Sequence, residues 1–134
     1  MLRRFISGQM TNFDFEDKMP SSKDFVISEI YDSMWLFYDD FTKHKMKDEW
    51  AFPKDTIKLM ARWVIFLHSD EEYKWPKFRY AGIRPLKHNW LSRLLKKPEK
   101  EKKFMEFGDY NVWPFFDLES YNNAKQNPKL LSGS

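Results

Sequence analysis

The chain has 134 residues, 42% hydrophobic and 32% charged, enough apolar material for one core and too short for two domains of ordinary size. It contains no cysteine, which excludes disulfide staples, thiolate zinc sites and a cysteine nucleophile. Net charge is only +3, but residues 1–50 hold ten acidic side chains against seven basic ones, so the rest of the chain is the basic part.

In chain order, Leu2 to Ser7 reads as a short helix that Gly8 ends, since glycine takes the left-handed conformation that closes a helix. Thr11 then caps a second short helix, with Asp14 at its third position, that must stop before Pro20. Ser21 or Ser22 caps the next, and Asp24 suits the positive end of its dipole. From Lys23 to about Lys43, Val26, Ile30, Met34, Phe37 and Phe41 recur at helical spacing. A second line, Ile27, Tyr31, Trp35 and Tyr38, widens that stripe and makes this the central helix.

Pro53 opens a third strong helix at a position where a missing amide proton costs nothing. Ile57, Met60, Ala61, Val64 and Leu67 make its inner face, while Trp63 and Phe66 spread apolar surface around the cylinder, so burial on more than one side is expected. Residues 73–85, with two prolines and a glycine, read as an aromatic-rich connection packed on the surface. Lys87 to Lys97 predicts a helix that turns Trp90, Leu91, Leu94 and Leu95 inward. Residues 98–103 are a turn or the start of a short helix, and a turn falls at Phe107–Tyr110. Trp113 is extended before Pro114, and Asp117 caps a last helix, Leu118 to Gln126.

No repeat and no interdomain linker is visible. The expectation is an all-α fold: a single compact helical domain of about five to seven helices with an aromatic-rich core. It spans residues 1–129, with a loose tail over 130–134. The longest apolar block, Trp63–Leu67, is five residues long, so neither a signal segment nor a membrane span is expected, and the location expected is cytoplasmic.

Candidate chemistry is sparse. Asp40, His44 and Asp48 lie four apart and would align on a helix, but Lys43, Lys45 and Lys47 would repel a metal ion there. A solvated helix end is the better reading. His68 beside Ser69 and Asp70 evokes a hydrolytic triad, yet triads are assembled from distant segments and no glycine-flanked serine elbow exists. His68 reads instead as a helix end. No catalytic residue, metal or cofactor is therefore assigned.

Two charged surfaces remain. Glu29, Asp32, Asp39 and Asp40 lie on the central helix as an acidic ridge, an ordinary solvated face or a contact for a basic partner. Arg84, Lys87, Arg93, Lys96 and Lys97 begin a basic stretch, continued by Lys100, Lys102 and Lys103, that suits phosphates. Trp90 among them would stack on bases, but the helix stripe calls for it inside.

Arg62 to Pro76 (RWVIFLHSDEEYKWP), with its Trp-Pro pair after a helix ending in Ser-Asp, resembles the central signature of a family of small helical bacterial proteins. Gly108 to Phe115 (GDYNVWPF) is similar to a second signature, and Arg4–Gly8, Asn12–Asp17 and Tyr38–Asp40 are similar again. These are packing motifs without catalytic assignments, so no functional residue carries over. By class they resemble immunity proteins of bacterial toxin systems, including contact-dependent growth inhibition. What this implies is a non-enzymatic binding module that occludes a cognate protein toxin. Affinity would come from a few aromatic anchors and steering from charge. A sequence pI near 9.0 counts against a nuclease toxin, and the acidic first third partly answers that. The expected contacts are Glu29, Asp32, Asp39, Asp40 and exposed aromatics. The alternative is a nucleic-acid or anionic-surface binder that uses Arg84, Lys87, Arg93, Lys96 and Lys97.

Overall fold

Short polar side chains start and stop the helices. The Thr11 hydroxyl accepts a bond from the Asp14 amide at 3.1 Å and donates one to its carboxylate at 2.7 Å, opening α2 (Asn12–Asp17). Before it, α1 (Leu2–Ile6) closes at Gly8, whose φ of 72° is the left-handed value that glycine adopts without strain. A Cβ at Gly8 would also lie 2.6 Å from Lys47 Cγ.

The structure is a computed structural model and describes residues 1–19, 21–34, 41–78, 81, 90 and 94–127. Among these, α1 and α2 are followed by α3 (Phe25–Met34), α4 (Lys54–Leu67), α5 (Lys97–Met105) and α6 (Leu118–Gln126). Single 3₁₀ turns lie at Asp48–Trp50 and Tyr110–Val112. The extended pairing among the described residues is an isolated antiparallel bridge between Thr11 and Lys45. The fold is all-α, and no helix among the described residues is long and apolar enough to cross a membrane.

Asp24 itself, rather than Ser21 or Ser22, caps α3: its Oδ1 accepts from the Val26 and Ile27 amides at 2.9 and 3.3 Å. Ser22 instead accepts from the Asp24 amide, fixing the cap from two residues further out. The long central helix expected to reach Lys43 is not continuous to that point. Phe41 already lies in a bend and is 92% exposed, while Trp35–Asp40 lie outside the described residues. Pro53 stands just before α4, as its N-cap. Asp117 caps α6 as the sequence predicts, accepting from the Ser120 amide at 2.8 Å.

The core is one cluster around Phe5, Phe15, Ile30, Met60, Trp63 and Phe115. Within α4 the burial is shifted away from Ile57 and Ala61 of the expected face, a rotation toward Trp63 and Phe66. Met60, Trp63, Val64 and Phe66 are buried, whereas Ile57 and Ala61 are exposed. Burying an indole and a phenyl ring removes more apolar surface from water than burying Ile and Ala, which decides the rotation. Arg62 helps to hold that orientation, donating through Nε to the Trp113 carbonyl at 2.7 Å.

The connection after α4 is likewise not a surface layer. Trp75 is buried, and its indole N–H donates to the Phe115 carbonyl at 3.1 Å. Its ring meets Phe104 at 5.2 Å, Phe116 at 5.9 Å and Tyr110 at 6.1 Å. Each such pair adds about 0.5–1.5 kcal/mol beyond area burial. The segment turns inward because its rings have partners from 104–116, which no local pattern announces. Conversely, Trp90, Leu94 and Leu95, expected inside, are exposed. Leu91 and the proposed tail 130–134 lie outside the described residues.

Candidate functional site

The acidic ridge does not assemble as expected. Glu29 is buried, and its Oε2 accepts the Ala81 amide at 3.1 Å. The Ala81 carbonyl in turn accepts the Tyr110 hydroxyl at 2.7 Å. A buried carboxylate is tolerable when a backbone donor answers it, so Glu29 pins the chain at Ala81 and presents no charge to a partner. Asp32 is exposed on α3, and Asp39 and Asp40 lie outside the described residues.

Acid instead lines a concave surface nearby. Asp24, Phe25, Val26 and Ile27 from the start of α3 face Phe66, Leu67, Ser69 and Glu71–Tyr73 from the end of α4 and the turn beyond it. They enclose a groove of about 520 Å³. The ring of Tyr73 lies beside two others of the lining, 6.0 Å from Phe25 and 6.2 Å from Phe66. Its hydroxyl accepts the Trp113 indole N–H at 3.2 Å. Burial pushes the Tyr73 phenol well above its ordinary range, with the Glu29 carboxylate adding to the rise and the Trp113 bond opposing it. The hydroxyl is therefore held neutral, and the ring forms a wall of the groove. Ser69 shapes the far side: its hydroxyl donates to the Phe66 carbonyl at 2.8 Å and accepts from the Glu71 amide at 3.2 Å.

His44 is not on a helix, Asp48 begins a 3₁₀ turn, and Asp40 lies outside the described residues, so no helix carries His44 and Asp48 on one face. The segment is held by Asn12, which is fully buried. Its amide donates to the His44 carbonyl at 3.0 Å, its Oδ1 accepts the His44 amide at 2.9 Å, and its Nδ2 donates to the Thr42 carbonyl at 3.0 Å. The His44 ring stacks on Trp50 at 4.1 Å, and its Nδ1 donates to the Thr42 carbonyl at 2.6 Å. Here the imidazole packs a loop. His68 is exposed and ends α4. Among the described residues no three His, Cys, Asp or Glu side chains gather as a metal ion would require.

Of the basic stretch, Lys96 and Lys97 are exposed, while Arg84, Lys87 and Arg93 lie outside the described residues. Lys100, Lys102 and Lys103 of α5 are exposed as well. Trp90 is 77% exposed and Leu94 71%, so this stretch pairs cations with large apolar groups at the surface.

The groove escaped the sequence reading because its two walls come from distant parts of the chain. In the sequence, Ser69-Asp70-Glu71-Glu72 ends a helix or caps a further turn, and Asp24 suits the positive end of a helix dipole. The available signal was Asp24-Phe25 and Glu71-Glu72-Tyr73, each an acid joined to a ring, but nothing local says that they face one another. Compared with family models, curated proteins and solved structures, the chain has no match.

Proposed function

We propose that this chain is a non-enzymatic protein-binding module that works as immunity proteins do, by covering a toxin partner. The observation that supports this reading is the exposure of Trp90, Leu94 and Leu95, at 77%, 71% and 53%. Singly exposed apolar residues are ordinary, but three large ones within six positions offer apolar surface for a partner to bury. Trp is also among the residues that most often dominate binding energy. Lys96 and Lys97 supply a charged rim, which steers approach more than it holds the complex.

Co-purification with the product of the neighbouring upstream gene tests the proposal. The expected result is a complex at micromolar concentration that the double variant Trp90→Ser, Leu94→Ser weakens at least about tenfold. Absence of a complex at that concentration overturns it.

Nucleic-acid binding is the second reading, and one observation favours it: Trp90 is not committed to the core, so it is free to stack on a base beside Lys96 and Lys97. Titration with a generic oligonucleotide distinguishes the two. Binding that falls steeply with salt supports this reading, and indifference to DNA and RNA removes it.

A further inference from the structure

We infer that the groove between the start of α3 and the end of α4 is a socket for an arginine or lysine side chain of the protein partner. The inference rests on the protein-binding reading above and names the chemistry that one of its contacts would take. The groove's volume of about 520 Å³ falls within the range of about 300–1,000 Å³ typical of small-ligand sites. That is room for a long side chain with a little flanking backbone.

Charge decides the occupant. The lining holds three carboxylates, Asp24, Glu71 and Glu72, and no lysine or arginine. A helix start ordinarily attracts anions, but here Asp24 Oδ1 already occupies the Val26 and Ile27 amides. An incoming anion would thus meet acid and spent donors. A cation meets three carboxylates and the rings of Phe25, Phe66 and Tyr73 in one lining, and an aliphatic stem matches the apolar Val26, Ile27 and Leu67 beside them. Lys77, which is not part of the lining, shows that one of these rings accepts a cation: its Nζ stands 5.8 Å over the Phe25 ring.

The walls are set in advance. Ser69 holds the turn that carries Glu71, and Trp113 holds the Tyr73 hydroxyl. Little ordering remains to oppose binding when the partner's side chain arrives.

The probe is a blocked peptide with one arginine flanked by glycines, titrated into the full chain and followed by amide NMR shifts. Saturable shifts confined to Phe25, Ile27, Glu71 and Tyr73 are expected. A matched citrulline peptide, the same shape without the charge, should leave them still. The double variant Glu71→Gln, Glu72→Gln should weaken arginine-peptide binding about tenfold, while its melting temperature stays close to that of the parent. Shifts centred elsewhere, no shifts at all, or equal binding of the citrulline peptide overturn the socket. The variant Trp90→Ser, Leu94→Ser separates the two proposals, since it should lose the protein partner and keep the arginine peptide. If no partner co-purifies but the arginine peptide binds as described, the socket stands and the partner reading falls. If a partner co-purifies and the peptide leaves the groove still, the socket alone falls.

Discussion

Trp63 and Trp90 begin two stretches with similar apolar spacing and opposite outcomes. Trp63, Val64 and Phe66 lie at the centre of the core, whereas Trp90, Leu94 and Leu95 face water. Hydrophobic periodicity identifies a face that would gain by being covered; it does not say what covers it. For α4 the cover is the 113–115 segment, where Trp113 meets Trp63 edge to face at 6.0 Å and Phe115 meets Phe66 at 5.1 Å. For the second stretch, a protein partner is the cover proposed here.

The largest expected effect tests this contrast directly. Trp63→Ala should cost about 3–5 kcal/mol in urea denaturation, and Trp90→Ala should stay within about 0.5 kcal/mol of the parent. Equal costs would mean that Trp90 is packed in solution and that the two stretches do not differ. A smaller contrast lies within α3. Glu29→Ala strands the Ala81 amide inside the protein and should cost about 1–3 kcal/mol, while Asp32→Ala should move stability by less than about 0.5 kcal/mol. Glu29→Gln, which keeps an acceptor, should recover most of the loss. Comparable effects at both positions would return Glu29 to the surface.

At the helix starts the effects shrink further. Thr11→Ala removes the acceptor for the Asp14 amide and should cost about 1 kcal/mol by the same denaturation measurement. Ser22→Ala, two residues outside the Asp24 cap, should cost only a few tenths of a kcal/mol.

The mildest effect is in alkali. Burial raises the pKa of both Tyr31 and Tyr73 in the folded protein. In the unfolded chain these phenols ionise near pH 10. Their contribution is therefore complete below that pH and is lost as pH climbs above it, because the unfolded state then releases protons that the folded state retains. Melting temperatures at about pH 9 and about pH 11 should fall between the two. Tyr73→Phe should flatten that fall, and an unchanged slope would place Tyr73 in water.

Much of the architecture was legible because it rests on local chemistry. The Thr11 and Asp117 caps, the Gly8 closure and the all-α character each follow from residues within a turn of one another. The make-up of the surface was not. Glu29 and Asp32 are indistinguishable as sequence, and only the arrival of Ala81 makes one a buried pin and leaves the other in solvent. Trp75 has the proline neighbour and polar surroundings of a surface loop, yet it is enclosed by rings from residues 104–116.

Composition, spacing and capping residues thus determined that this chain is helical, where several helices begin and end, and that rings dominate its interior. The tertiary structure decided which rings are inside, which acid faces a groove and which apolar groups remain uncovered. The division has a physical cause: backbone capping acts over a few residues, whereas burial of a side chain depends on segments far along the chain that only folding brings near.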